Sequence, residues 1–93
     1  MGSIRIKGKN ASEILEDMAK NMKIYEESIS AITNGILDDV DALGQHWQGS
    51  TYNNFRNDIE NVVNDIKSQL QSLSSARIQV EVDAEDYRQL ESI

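Results

Sequence analysis

The chain has no cysteine and only one histidine and one tryptophan in 93 residues, and these scarcities remove whole classes of explanation. Without cysteine no disulfide can staple the fold, and one His without a Cys cluster leaves no zinc framework. Long apolar runs are missing too. None approaches the roughly 18 residues of a membrane span, and the start, Met1-Gly2-Ser3-Ile4-Arg5-Ile6-Lys7, lacks the apolar centre of a cleavable leader. Export, if it occurs, is expected to proceed without such a leader. Positive charge is also in short supply. Nine Lys+Arg against sixteen Asp+Glu give a formal charge of −7, which repels a phosphate backbone and argues against nucleic acid as a partner. One domain, 1–93, is the most a chain of this size is expected to form. Small domains bury a smaller share of their surface, so with the staples gone oligomerisation is the expected source of further core.

What is present is helical periodicity on either side of one stretch. Leu43-Gly44-Gln45-His46-Trp47-Gln48-Gly49-Ser50-Thr51-Tyr52 holds the only Trp, the only His and two of the five Gly. Within it, Gly49-Ser50-Thr51 reads as a helix stop followed by a start. Before it, Ile14, Met18, Met22, Tyr25, Ile29, Ile32, Ile36, Val40, Leu43 and Trp47 recur at intervals of three and four, one apolar stripe that predicts a helix over 11–46. Asn10 and Glu13 have the spacing of a capping box and set its start. Asn34-Gly35 signals a turn elsewhere, but the stripe passes through it in phase. One helix is expected, at a glycine cost of about 1 kcal/mol, over a three-helix chain broken there. After a turn at 47–50, Tyr52, Phe55, Ile59, Val62, Ile66, Leu70 and Leu73 form a second stripe, predicting a helix over 51–76. Its end is set near Ser75 or Ala76, after a run in which Ser68, Ser72, Ser74 and Ser75 compete for backbone hydrogen bonds.

The two ends alternate instead. In the N-terminal segment 1–10, Ile4 and Ile6 alternate with Arg5 and Lys7; in the C-terminal segment 77–93, Ile78, Val80 and Val82 alternate with Gln79, Glu81 and Asp83. An antiparallel hairpin would bring these basic and acidic segments together, so short β pairing between 4–7 and 78–82 is expected, with continuation of the second helix as the alternative. The fold class is otherwise all-α: an antiparallel helical hairpin with the Trp-x-Gly turn at its tip. A single neighbour cannot cover stripes this long. Met18, Met22, Tyr25, Ile29, Ile32 and Ile36, with Phe55, Ile59, Val62 and Ile66, are therefore expected to form a dimer interface closing a four-helix bundle.

Residues able to carry chemistry are few. Asp38, Asp39, Asp41 and His46 read as a solvated face, there is no Gly-rich phosphate loop, and no catalytic residue, metal or cofactor is expected. An enzyme reading would have to use His46 as its base. Trp47 stays open between two roles: a packing knob against Tyr52 or Phe55, and a partly wet recognition handle at the tip. Tyr87 and Glu91 pose the same choice, being four apart on one helix face with no evident packing role.

Two amphipathic stripes, Trp47-Gln48-Gly49 between them, Phe55 eight residues after the Trp and the lack of Cys together resemble, over the whole chain, the Trp-x-Gly family of small proteins exported by type VII secretion systems (the ESAT-like family). The tail Tyr87-Arg88-Gln89-Leu90-Glu91 is similar to that family's Tyr-x-x-x-Asp/Glu export signal. The resemblance implies a non-enzymatic secreted substrate or co-secreted targeting partner, cytoplasmic before export. It implies a homodimer, or a heterodimer with a related helical protein, in which the Trp-x-Gly turn of one hairpin lies near the C-terminal signal of the other. On this reading Trp47, Gly49, Tyr87 and Glu91 form a composite surface read by the secretion ATPase. The strand-like ends, and Tyr52 where small residues are common, depart from the simplest members. They leave room for a cytosolic adaptor or chaperone that partners the helical N-terminal domain of a larger toxin.

Overall fold

The computed structural model describes residues 5, 6 and 9–93, with side chains from Asn10 onward. Two short strands, β1 (Arg5–Ile6) and β2 (Lys9–Asn10), precede two long helices, α1 (Ala11–Leu43) and α2 (Ser50–Glu91). The helix α1 runs unbroken through Asn34-Gly35, as the in-phase stripe requires.

The ends depart from the expected pairing. β1 pairs antiparallel with β2, placing Arg5 opposite Asn10 and Ile6 opposite Lys9, and not with residues 78–82. The expected extension at Ile4 and Lys7 lies outside the described residues. Residues 78–82 are helical, and α2 continues to Glu91 instead of stopping near Ser75 or Ala76. β-Branched residues such as Ile78, Val80 and Val82 favour strands only weakly, and here side-chain pairs at helical spacing oppose that preference. Arg77 reaches Glu81 at 2.7 Å, Gln79 reaches Asp83 at 2.9 Å and Arg88 reaches Glu85 at 3.0 Å. Contacts to α1 complete the argument, since only a helix aims Arg77, Ala84 and Glu91 along one line.

That line recurs every seven residues. On α1 it comprises Ser12, Ala19, Glu26, Thr33 and Val40; on α2, Val63, Leu70, Arg77, Ala84 and Glu91. Ser12, Ala19, Thr33, Val40, Val63 and Ala84 are buried, and the rest of the line is half-buried. The chain divides into two compact units, each holding part of both helices. One is Met1–Glu26 with Ser72–Ile93, the other Glu27–Gln71. Within the first, Ser12 meets Glu91 and Glu26 meets Arg77, so the line joins antiparallel helices mostly through small and polar groups. Within the second, Val40, Tyr52 and Val63 are its buried apolar side chains, and the Thr33 hydroxyl satisfies itself on the Ser30 carbonyl at 2.9 Å.

A fully buried Val-sized side chain contributes about 1.5–3 kcal/mol. Among the described residues the buried apolar set is Ala19, Val40, Tyr52, Val63 and Ala84, two of them alanines, which is a thin core for this length of ordered chain. The large apolar side chains lie beside the line. Met18, Tyr25 and Ile32 stand one residue before its α1 members, while Met22, Ile29 and Ile36 stand three after; on α2, Val62 stands one before, and Ile66, Val80 and Tyr87 three after. At about 100° per residue both sets fall roughly 60–100° to one side. Because the helices are antiparallel, the same rotation on each points to the same face within each unit.

Candidate functional site

The turn is built from backbone upward. The α1 helix ends at Leu43, three residues short of the expected boundary, because the chain tightens there. The Gln45 N–H donates to the Ala42 carbonyl at 3.2 Å, His46 N–H to Leu43 at 3.0 Å, and Trp47 N–H to the same Leu43 carbonyl at 2.9 Å. Gly49 has φ +107°, the left-handed region in which L side chains are strained, while a Cβ added there would meet nothing within 4 Å. Its glycine is therefore demanded by backbone conformation and not by space. The Gly49 carbonyl accepts the Asn53 N–H at 3.0 Å, so Gly49 opens α2 in the role expected of Ser50 or Thr51.

Gly44 answers a different need. A Cβ at this position would fall 2.5 Å from Tyr52 Oη and 2.7 Å from Cζ, so the Tyr52 ring lies directly against the backbone. The Tyr52 hydroxyl donates to the Val40 carbonyl at 2.8 Å in a buried bond. This departure from a small residue thus fills a place that Gly44 leaves open.

Trp47 packs on the pair of aromatics that follow it. Its ring lies 5.9 Å from that of Tyr52, edge to face at 62°, and 5.6 Å from that of Phe55, tilted at 40°. Even so it is 36% exposed. The packing role holds for one part of the indole, against Tyr52 and Phe55, and the remainder faces solvent. Gln48 and Gly49 beside it are exposed as well.

A family model described as proteins of 100 residues with WXG matches residues 9–92, and the three letters fall on Trp47-Gln48-Gly49. The chain is a WXG100 protein. Membership implies a small substrate of type VII secretion. No curated protein and no solved structure matches the chain. Among the described residues of this WXG100 protein, no helix is long and apolar enough to cross a membrane.

The tail residues belong to the unit that holds Met1–Glu26, and Trp47 and Gly49 to the other. Tyr87 is 40% exposed on the face shared with Met18 and Tyr25, whereas Glu91 is half-buried and engaged by Ser12. Of the candidate interface side chains, Met18, Tyr25, Ile32, Ile36 and Val62 are exposed; Met22, Ile29, Phe55, Ile59 and Ile66 are half-buried. None is fully covered within the chain. Asp38, Asp39 and His46 are exposed, and Asp41 pairs with Arg56 at 3.0 Å on the surface. Among the described residues no group of three acids or histidines is placed to hold a metal ion.

One part-buried ion pair was missed by a search for apolar stripes. Arg77 Nε donates to Glu26 Oε2 at 2.6 Å, with both side chains about one-sixth exposed, at 17% and 15%. This hydrogen bond holds the Glu26 carboxyl below its ordinary range against the opposing effect of burial, aided by the Ser74 hydroxyl and the Lys23 charge. The same bond raises Arg77 further above its usual value. An open groove of about 280 Å³ flanks the pair, lined by Ala19 and Ala84 and by side chains of both charge signs. The signal that finds this pair is opposite charge at a shared seven-residue phase.

Proposed function

We propose that this WXG100 protein is a non-catalytic type VII substrate, or a targeting partner co-secreted with one, that associates through its apolar face and presents Trp47, Gly49, Tyr87 and Glu91 as a composite export signal to the secretion ATPase. The observation that carries the reading is the family match across a turn in which Trp47 is anchored by two aromatics yet still a third exposed. A side chain held in one orientation and left partly uncovered loses little entropy when a receptor covers the rest. The thin intramolecular core supports association, because Met18, Tyr25 and Ile32 stay exposed while two of the five buried apolar side chains are alanines.

A second copy is the default occupant of that face. The helical N-terminal domain of a larger toxin is the other, and light scattering at micromolar concentration separates them: a monomeric mass points to the hetero-partner. Export is tested by measuring the protein in culture medium against cell pellet, for the parent and for Tyr87→Ala, with a cytosolic lysis marker followed alongside. Loss of Tyr87→Ala from the medium at a normal cellular level is the expected result. A parent chain confined to the pellet, or equal export of both, would make the cytosolic adaptor the better account.

A further inference from the structure

Glu91 lies in the last turn of α2 and meets the first turn of α1 with both carboxylate oxygens. Its Oε1 accepts the Ser12 backbone N–H at 3.2 Å, and its Oε2 accepts the Ser12 hydroxyl. Ser12 is among the first residues of α1, whose N–H groups have no acceptor inside the helix. The local cap expected from the sequence does not supply one, since Asn10 Oδ1 is buried without a hydrogen-bond partner. A carboxylate from the far end of the chain takes that place, where the helix dipole also favours negative charge. Ser12 is 4% exposed, so water competes poorly for the contact. One turn earlier, Arg88 pairs with Glu16 of α1 and gives the tail a second tie. Tyr87, by contrast, is 40% exposed.

We propose that Glu91 acts inside the chain as a positioning residue. With Ser12 it clamps the final turn of α2 onto the first turn of α1, and the clamp displays Tyr87 to a secretion machinery that reads the tyrosine and not the carboxylate. The inference rests on the export reading above and narrows it at one residue: Tyr87 is read, whereas Glu91, counted there among the presented residues, holds the tyrosine in place. A receptor that needed the free carboxylate would have to break a two-point, charge-assisted contact first.

Three variants test this: Ser12→Ala, Glu91→Ala and the double substitution, each followed by export and by amide hydrogen exchange. Ser12→Ala is informative because alanine suits a helix and leaves Glu91 in place. The Arg88–Glu16 tie and the rest of the line keep the variants folded. Exchange at Ser12 and across residues 88–92 is expected to rise by roughly tenfold in Glu91→Ala and by less in Ser12→Ala, which retains the backbone donor. Export is expected to fall in both single variants, and the double variant is expected to be no worse than Glu91→Ala, since the two residues act through one contact. Parent-like export of Ser12→Ala beside failed export of Glu91→Ala would overturn the proposal, because the machinery would then be reading the carboxylate itself. Unchanged exchange in both single variants would overturn it as well. Normal export of Tyr87→Ala would sink the export reading and the display role with it, while the exchange rates would still report the clamp, so the two failures are told apart.

Discussion

Tyr52 reaches across the turn to Val40: the hydroxyl donates to the carbonyl at 2.8 Å, tying the first turn of α2 to the last turn of α1. The same carbonyl accepts the Gly44 N–H at 3.1 Å. Tyr52→Phe therefore leaves that oxygen one partner and is expected to cost about 1 kcal/mol. Gly44→Ala drives a methyl into the ring and is expected to cost more, about 1–3 kcal/mol. Urea denaturation followed by helical circular dichroism measures both. A Gly44→Ala chain as stable as the parent would show that Tyr52 is not seated there.

Two glycines are expected to respond with opposite sign. Gly49→Ala places a side chain at φ +107° and should lower stability by about 1–3 kcal/mol, although nothing obstructs the methyl. Gly35→Ala fills open space in the middle of α1 and should raise stability by up to about 1 kcal/mol. For a chain of this size that gain is a melting-point increase of about 4–8 °C. Thermal melts of the two variants beside the parent decide it.

The Glu26–Arg77 pair should leave a mark on acid stability. The folded-state carboxyl of Glu26 titrates below its unfolded value, so its contribution is present above the ordinary glutamate range and disappears as pH falls through the lowered value. The parent should accordingly lose more stability than Glu26→Gln between mildly acidic pH and that lower range. Melting temperatures of both chains across the acid limb provide the comparison, and parallel curves would refute the assignment.

Association through the shared face makes its own prediction. Ile32→Lys and Val62→Lys place charge on exposed positions of α1 and α2 without touching the buried line. Sedimentation equilibrium is expected to show each variant shifted toward monomer relative to the parent, with helical content retained. An unshifted mass would mean that association, if any, uses another surface.

The legible and illegible parts of this chain divide along residue size. Large apolar side chains at intervals of three and four announced both helices, and their unbroken phase carried α1 correctly through Asn34-Gly35. Trp47-Gln48-Gly49 marked the turn for the same reason, since scarce residues between periodic segments stand out. The intramolecular contact line was hidden because Ser12, Ala19, Glu26, Thr33, Arg77, Ala84 and Glu91 are small or polar and do not register in a stripe of large apolar side chains. Ile78, Val80 and Val82 misled because alternation is read locally, whereas Arg77, Ala84 and Glu91 take their conformation from partners more than fifty residues away. Glu91 shows the same limit: its four-residue spacing from Tyr87 was visible, but its engagement by Ser12 depends on the return of the chain.

The seven-residue line also fixes how such a chain can change length. Deleting one residue between Ala19 and Thr33 would turn every later α1 side chain by about 100° relative to those before it, setting Asn34 and Asp41 in the places that Thr33 and Val40 now hold on the line. Deleting seven from α1 and a matching seven from α2 would restore each meeting and merely shorten the pair. For this architecture the unit of permissible insertion is therefore neither the residue nor the turn but a paired heptad, one from each helix.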